Sequence, residues 1–167
     1  MGNQLKIEAL TKAAFAPFGD VIETKDATLK MINGGTTERF HDLMKIDVAD
    51  QNGHAIVSIF RGQPSDFPIE IKMVERHPLG SQAFIPMGKF PFLVVVAEDK
   101  DGAPATPRVF KAEAGQGVNY AKNTWHHPLL SLQNICDFIV IDRSGEGDNC
   151  QEFAFENSYF ISQNKED

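Results

Sequence analysis

Short apolar segments recur along the chain and are separated by Gly, Pro, Asn and Asp. Many short segments at a spacing of roughly 8–12 residues are typical of a β-sandwich or β-barrel. One helix is predicted over Lys12–Phe18, because Thr11 can cap its N-terminus and Gly19 can end it. The connections leave no room for crossover helices, which argues against a parallel α/β sheet. The predicted strands are Lys6–Leu10, Val21–Glu23, Lys30–Asn33, Ala55–Arg61, Ile69–Glu75, Gln82–Pro86, Phe92–Ala97, Arg108–Ala112, Gly117–Tyr120, His127–Leu132, Phe138–Asp142 and Glu152–Phe155.

Alternation within the strands predicts which side chains face the interior. The odd positions of 69–77 are Ile, Ile and Met, followed by Glu75 and His77. If one face of this strand is buried, it is the odd face, and these two polar residues continue it inward. The odd positions of 55–61 form a similar apolar row that ends at Arg61, although apolar residues on the even face weaken that assignment.

Polar and special-geometry residues concentrate in two segments, 75–86 and 115–129, which hold three of the five histidines. Buried ionisable groups are costly without partners, so a Glu, a His and an Arg inside one barrel would need each other, a metal or a charged ligand. The alternative is that each group lies at a strand end and reaches water at the mouth of the barrel. We expect the two segments to form two walls of one pocket.

The composition bounds the function. The chain has 167 residues, 23 acidic against 16 basic side chains and a formal net charge of −7. This length favours a single domain over 1–167. An acidic balance argues against nucleic acid or an anionic membrane surface as a partner, since both are bound through excess Lys and Arg. Thirteen Phe residues indicate a thick apolar interior.

The two cysteines, Cys136 and Cys150, lie in no spacing typical of a zinc site or a disulfide scaffold. We interpret them as thiols in a reducing compartment. The N-terminal residues lack the apolar core of a signal peptide, and the longest apolar run, Phe90–Ala97, is too short to span a bilayer. The sequence therefore predicts a soluble, cytoplasmic protein.

Three segments resemble one known family. They read ERHPLGSQAFIP at 75–86, GQGVNY followed by WHHPLL at 115–130, and DR-x-G-x-G-x-NC at 142–150. These are similar to segments of the ureidoglycolate lyases of allantoin degradation in purine metabolism, and the similarity extends from about Ile7 to Glu152. The resemblance implies an all-β, cupin-type double-stranded β-helix (jelly-roll-like) barrel with one short N-terminal helix. It also implies a homodimer that splits (S)-ureidoglycolate into glyoxylate and urea.

The resemblance to cupins implies a metal site that departs from the usual pattern. Cupins generally carry His-x-His and a Glu in their first motif, and here Glu75 replaces the first His and Gln82 replaces the Glu. The second motif offers His126 or His127. The implied ligands of a divalent ion, nickel or similar, are His77 and His126, with Glu75 and Gln82. No organic cofactor is implied.

The chemistry of ureidoglycolate suggests roles for individual residues. Glu75 is the preferred base if no metal is bound, because an apolar wall would raise its pKa toward neutrality. With a metal bound, Tyr120 or His127 would carry the proton instead. A substrate carboxylate favours a guanidinium, for which Arg61 is the first choice and Arg143 and Arg76 are competitors. Gln82 and Asn119 can hydrogen-bond the urea group.

Other functions stay open at this point. The alternatives are a metal-dependent cupin enzyme that acts on another small hydroxy acid, such as an oxygenase, a sugar-nucleotide epimerase, and a non-catalytic cupin that binds a small ligand. An oxygenase would want a complete set of strong ligands, and an epimerase would want a His–Asp pair and a basic groove. A storage cupin would tolerate an apolar cavity, and the polar segments argue against one.

Overall fold

The computed structural model describes residues 3–163, which form eighteen strands and one short α-helix. The helix α1 covers Lys12–Phe15, and 3₁₀ turns cover Asn33–Gly35 and Asp50–Asn52. The strands are β1 Asn3–Leu5, β2 Ile7–Ala9, β3 Gly19–Ile22, β4 Thr28–Ile32, β5 Thr37–His41, β6 His54–Gly62, β7 Pro64–Ser65, β8 Ile69–Arg76, β9 Gln82–Pro86, β10 Phe92–Ala97, β11 Asp99–Lys100, β12 Ala103–Pro104, β13 Arg108–Ala112, β14 Gly117–Tyr120, β15 Trp125–His126, β16 Leu130–Leu132, β17 Cys136–Ser144 and β18 Gln151–Ile161.

Two sheets build the barrel. The larger has the strand order β1-β18-β8-β15-β10-β13-β2, with β16 and β7 joined beside β10. The smaller has the order β3-β14-β9-β17-β6. Two hairpins, β4–β5 and β11–β12, form separate two-stranded sheets. This arrangement confirms the predicted all-β, cupin-type barrel with one short N-terminal helix.

The core lies between the two sheets and is rich in Phe, as the composition predicts. Phe92 of the larger sheet and Phe138 of the smaller one meet edge to face, with 5.0 Å between ring centroids. Such pairs add to the free energy gained by burying the rings. Helix α1 closes the same cluster through Phe15, which is fully buried. Apolar side chains from both sheets therefore hold the barrel together.

The predicted helix begins at the correct residue, Lys12, but ends three residues too late, at Phe18 instead of Phe15. Thr11 caps the N-terminus, and its side chain accepts a hydrogen bond from the backbone nitrogen of Ala14. The helix ends at Phe15 with Ala16 as its C-cap, and turns follow as far as Phe18. Gly19 then has a φ of +146°, and a Cβ there would overlap the backbone of Asn119. A glycine is needed at this position because β14 approaches closely.

The predicted inward face of strand 55–61 is wrong. Val57 and Ile59, at odd positions, are 69% and 63% exposed. Phe60, at an even position, packs instead on Phe84 in the interior. The reason is that β6 is an edge strand whose two faces are both apolar, so alternation alone could not tell which of them the core covers.

Among residues 3–163, no helix is long and apolar enough to cross a membrane.

Candidate active site

Three strands of the larger sheet bring Glu75 and His126 to the interior of the barrel. His126 lies opposite Val96 on one side and opposite Glu75 on the other. Residues that lie opposite each other in neighbouring strands point to the same face, and Val96 belongs to the core. Glu75 therefore points inward, as the alternation predicts, but Ile69 and Ile71 of the same row pack in a separate cluster with Leu93 and Val95, whose side chains alternate with that of Val96.

His77 joins the other two residues just beyond the end of β8. One oxygen of Glu75, Oε1, lies 3.6 Å from Nε2 of His126 and 3.9 Å from Nε2 of His77. The two imidazole rings are 5.1 Å apart between centroids. We call Glu75, His77 and His126 the central cluster.

Backbone contacts decide which nitrogen each histidine presents. Nδ1 of His77 lies 2.8 Å from the carbonyl oxygen of Asn149, and Nδ1 of His126 lies 2.9 Å from that of Thr124. A carbonyl only accepts, so each Nδ1 carries the hydrogen, and Nε2 of a neutral ring keeps its lone pair. Both Nε2 atoms are buried and have no hydrogen-bond partner within residues 3–163. Two lone pairs and a carboxylate oxygen thus converge on one point.

The expectation that burial raises the pKa of Glu75 is wrong in direction. When its ring is protonated, His126 hydrogen-bonds to this carboxylate and lowers its pKa below the ordinary value, and this effect outweighs the desolvation that would raise the pKa. His77 lowers it further. Glu75 is therefore ionised at neutral pH, which suits either a ligand or a proton acceptor.

Tyr120 and Gln82 face the central cluster from the smaller sheet, where they lie opposite each other on β14 and β9. The ring of Tyr120 stacks on His126 at 4.2 Å between centroids, with only 14° between the planes. Burial raises the pKa of the Tyr120 phenol far above its ordinary value, and the charge of Glu75 adds to that shift. Tyr120 therefore stays protonated and can act as a donor but not as a base.

Two cavities adjoin the cluster, and Gln82 lines both. The larger, of about 550 Å³, contains Glu75 and His126 but has an apolar wall that includes Phe60, Phe84 and Leu129. The smaller, of about 310 Å³, is polar and is lined by His77, Ser81, Gln82, Asp142, Arg143, Asp148, Asn149 and Cys150. A small polar substrate fits the second lining better, since it offers both charges and amides.

The guanidinium of Arg61 is committed elsewhere. Arg61 lies opposite Asp137 on the outer face of the smaller sheet, and its side chain is 66% exposed. Its Nε and Nη2 donate to the two carboxylate oxygens of Asp137 at 2.7 and 2.8 Å. The residue contributes to the rim of the larger cavity, but the structure does not bring its charge to the central cluster.

Arg143 is the buried arginine of this region. Its Nε and Nη2 donate to backbone carbonyl oxygens of Asp50 and Glu146, and Nη1 takes no part in these bonds. A Cβ at Gly53 or Gly80 would clash with its side chain, so both glycines make room for it. Among residues 3–163 the hydrogen bonds of the Arg143 guanidinium go to backbone carbonyls, and the residue belongs to the lining of the smaller cavity.

Two other predicted residues lie outside the linings of both cavities. Asn119 alternates with Tyr120, so it faces away from the cluster, where its amide donates to Asp20 and to the carbonyl of Lys45. His127 contacts the carbonyl of Pro128 through Nδ1, and burial lowers the pKa of its ring. The structure thus brings together Glu75, His77, His126, Gln82, Tyr120 and Arg143, and leaves Arg61, Asn119 and His127 outside that group.

The structure adds two residues that sequence reasoning missed. Asp142 contacts Gln82, whose Nε2 lies 3.2 Å from Oδ2 of Asp142. Cys150 lies with its Sγ 4.0 Å from Oε2 of Glu75. A signal for both was present, since the segment DR-x-G-x-G-x-NC holds them at its two ends. This segment is one of the three that resemble the family, but among its residues only Arg143 was predicted to have a role in the site.

The central cluster fits a divalent ion. Ligands that share one ion at about 2.0–2.2 Å lie roughly 3–4 Å apart, and the two Glu75–His separations of 3.6 and 3.9 Å agree. A carboxylate with two imidazoles suits several first-row metals. Each imidazole also has the backbone hydrogen bond on its other nitrogen that metal-bound histidines usually make. Glu75, His77 and His126 therefore form a possible metal-binding group.

The sequence comparisons with known proteins agree on one family. The family described as ureidoglycolate lyase matches residues 2–162. A ureidoglycolate lyase of Brucella anthropi is 58% identical over 156 residues, which are 93% of this chain and 92% of that protein. One of Rhizobium leguminosarum bv. trifolii is 53% identical over 163 residues, 98% of each chain. Among solved structures, a 3,4-ketoisomerase from Helicobacter canadensis covers 77% of this chain and 84% of its own at 16% identity and a TM-score of 0.42.

Proposed function

The chain belongs to the ureidoglycolate lyase family, and from that premise we propose that it cleaves (S)-ureidoglycolate into glyoxylate and urea. The observation that carries the proposal is the match to proteins of that name over more than nine-tenths of the chain. A carboxylate that faces two imidazole Nε2 atoms without a hydrogen-bond partner among residues 3–163, beside a polar cavity, is the chemistry such a reaction needs.

The reaction moves one proton and breaks one bond. The central carbon of ureidoglycolate bears a hydroxyl, a carboxylate and a urea nitrogen. As the hydroxyl loses its proton, its oxygen forms the carbonyl of glyoxylate, the C–N bond breaks, and the departing nitrogen takes up a proton. The enzyme therefore needs a base for the hydroxyl and an acid for the nitrogen, and each contributes about 10²–10⁴-fold.

Glu75 has two oxygens in different surroundings, which allows it two tasks. Oε1 faces both imidazoles, while Oε2 lies 4.0 Å from Sγ of Cys150, a residue in the lining of the smaller cavity. We assign Oε1 to the donor set and Oε2 to the hydroxyl proton. Since the hydroxyl and the leaving nitrogen are bonded to the same carbon, Oε2 can return that proton to the nitrogen. Tyr120, which stays protonated, and His127 are the other candidate proton carriers.

A divalent ion held by Glu75, His77 and His126 would supply Lewis-acid stabilisation of negative charge on the substrate oxygens. The protein's own contribution is to hold the two Nε2 atoms in place through their Nδ1 bonds and to keep His126 oriented under Tyr120. Arg143 is our choice for the substrate carboxylate, because its guanidinium lies at the smaller cavity without a carboxylate partner in the bonds described.

The test is product identity. Purified protein is incubated with (S)- and with (R)-ureidoglycolate, and glyoxylate, urea and ammonia are followed against a reaction without protein. We expect glyoxylate and urea in equal amounts from the (S) enantiomer. Ammonia as the primary nitrogen product would identify an amidohydrolase and reject the lyase.

We also propose that the enzyme is a cytoplasmic homodimer. Both cysteines are free, which fits a reducing compartment. Inside this chain, β1 pairs with β18 and β18 pairs with β8. The apolar outer face of the edge strand β6 is the surface that favours a second copy.

A further inference from the structure

Asp142 is one of two residues in the lining of the smaller cavity, with His77, that have a buried polar atom without a hydrogen-bond partner among residues 3–163. It lies on β17 and turns to the interior, where Oδ2 accepts a hydrogen bond from Nε2 of Gln82 at 3.2 Å. Its other oxygen, Oδ1, is buried and has no hydrogen-bond partner among residues 3–163. A buried acceptor left without a donor costs folding free energy, so such an atom in a cavity wall indicates a ligand that supplies the donor.

The neighbours of Asp142 show where that ligand would lie. The cavity also holds Gln82, which is only 7% exposed, and it reaches the central cluster at His77. Arg143 follows Asp142 directly in the chain and lines the same cavity. The cavity therefore offers a negative charge and a positive charge within one small volume beside the reacting groups.

Ureidoglycolate has the complementary pattern. Its carboxylate is an acceptor only, whereas its ureido group carries N–H donors at one end and one carbonyl oxygen. Resting on the function proposed above, we propose that Asp142 forms the ureido subsite. Its Oδ1 accepts hydrogen bonds from the N–H groups of the substrate. Gln82 holds the side-chain carboxylate of Asp142 in place through Oδ2. Asp142 also repels the substrate carboxylate, which directs that group toward Arg143.

A matched pair of substrate analogues tests the subsite without turnover. N-carbamoylglycine keeps the carboxylate and the ureido group but lacks the hydroxyl that the reaction needs. N-acetylglycine has a methyl group in place of the terminal amino group and so lacks its two N–H donors. Hydrogen bonds to charged groups contribute about 1.5–3 kcal/mol. We therefore expect the wild-type enzyme to bind the carbamoyl compound roughly 10- to 100-fold more tightly, measured as competitive inhibition and by calorimetry.

The variant Asp142→Asn replaces one hydrogen-bond acceptor at this site by a donor. The Asn oxygen takes the side that faces Nε2 of Gln82, so the amino group replaces Oδ1, and a donor then meets the donors of the ureido group. We expect the selectivity between the two analogues to fall to within about 3-fold and kcat/KM for ureidoglycolate to fall roughly 10- to 100-fold. The melting temperature should hold or rise, because a buried unpaired charge is removed.

The control is Asp137→Asn on the same strand. Asp137 lies on the outer face, paired with Arg61, and its replacement should leave analogue selectivity unchanged. Equal binding of the two analogues by the wild-type enzyme would overturn the subsite, and this measurement needs no variant to fold. Unchanged selectivity in Asp142→Asn would overturn it as well. Both results are distinct from failure of the lyase assignment, which shows as a lack of glyoxylate and urea from the wild-type enzyme.

Discussion

At the scale of single residues, the site depends on which atom each side chain presents. Glu75, His77 and His126 converge because two backbone carbonyls hold the histidines by Nδ1 and leave Nε2 toward the carboxylate. Alternation along 69–77 predicts the inward direction of Glu75 and His77 from the sequence. The pairing of His77 Nδ1 with a carbonyl is tertiary, since Asn149 lies 72 residues away, whereas Nδ1 of His126 contacts the nearby carbonyl of Thr124.

Replacement of Glu75 tests its role in proton transfer. We expect Glu75→Gln to lower kcat/KM for ureidoglycolate by about 10²–10⁴-fold, because the amide neither takes the hydroxyl proton nor supplies a charged ligand. The measurement is the initial rate of glyoxylate formation. Glu70→Gln is the control on the same strand, since Glu70 is exposed and lies beside Lys72. A Glu75→Gln enzyme within 3-fold of wild type would remove Glu75 from the chemistry.

The two histidines are expected to hold a divalent ion together. His126→Ala removes one of two imidazole ligands, so we expect at least 10-fold weaker metal binding together with loss of activity. Metal content per chain is measured after purification and after chelator treatment, with activity followed alongside. His54→Ala, at the exposed start of β6, is the control. Full activity of a chelated, metal-free wild-type enzyme would show that the cluster works without an ion.

The residues that sequence reasoning misplaced share one physical cause. Arg61 was assigned from strand parity and chemistry and Asn119 from chemistry, yet each lies on the outer face of its strand and is held there by an Asp. No role in the site was predicted for Asp142, since an acidic residue within a strand is usually exposed to solvent. Which face is covered depends on the second sheet, and a single strand does not carry that information.

At the scale of elements, helix α1 supports the site through a series of aromatic rings. Phe15 packs against Tyr120 at 6.3 Å, and Tyr120 stacks on His126 at 4.2 Å. The helix has only four residues and depends on this burial, since so short a helix is not stable alone. The N-terminal segment therefore stabilises the orientation of a cluster residue more than 100 positions later in the chain.

Truncation of Phe15 should separate this support from the chemistry. We expect Phe15→Ala to lower the free energy of unfolding by about 3–5 kcal/mol, because a fully buried ring is replaced by a cavity. Activity at a temperature where the variant is folded should also fall, since Tyr120 loses its neighbour. Denaturant unfolding and initial rates measure the two effects. Leu29→Ala on the exposed hairpin β4–β5 should change neither, and a similar loss there would contradict the account.

The elements predicted best are those whose local signals and burial agree. Gln82–Pro86, Phe92–Ala97, Arg108–Ala112 and Gly117–Tyr120 have the predicted bounds. Of the predicted strand over His127–Leu132, only Leu130–Leu132 is a strand, β16. The short strand β15 lies just before the predicted start, at Trp125–His126, and Pro128, which has no backbone N–H, lies between the two. Strand β5 was not predicted, because Thr37–His41 is largely exposed and polar and has no apolar alternation. It is a strand because it pairs with β4 in the hairpin.

At the scale of the whole molecule, the edge strand β6 is the expected contact between two copies. Ile59→Lys places a charge on the apolar outer face, and we expect it to shift the protein from dimer to monomer in light scattering coupled to size exclusion. The side chain is 63% exposed, so the monomer itself should stay folded. Met31→Lys, on the exposed hairpin, is the control. A wild-type monomer, or a dimer unaffected by Ile59→Lys, would reject this face as the interface.

The acidic surface makes stability depend on pH in one direction. Paired cations or hydrogen bonds hold the pKa of several carboxyls below the ordinary value, among them Glu8, Glu75, Asp50, Asp99 and Asp137. In the unfolded chain these carboxyls bind protons at a higher pH than in the folded protein. Their contribution to the free energy of unfolding is therefore fully present above about pH 4.5 and is lost as the pH falls through their pKa values in the folded protein. Burial of His127 acts in the same direction from about pH 6.5 downward.

The expected result is a melting temperature that is constant near neutral pH and falls steadily from about pH 6.5 toward pH 4. Differential scanning calorimetry at fixed ionic strength measures it. A melting temperature that rises as pH falls through this range would show that relief of the net charge of −7 outweighs the lost pairs.

The position of Trp125 gives the molecule a built-in optical probe. It is the single tryptophan of the chain and directly precedes His126, so the two side chains point to opposite faces of one strand. Its indole is buried under the guanidinium of Arg76, 4.2 Å from the ring, and Nε1 donates to Asp99. A ligand that moves the backbone at His126 also moves this fluorophore, because the two residues are adjacent on β15. Ligand titrations can therefore be read from native emission, with no label and no coupled assay.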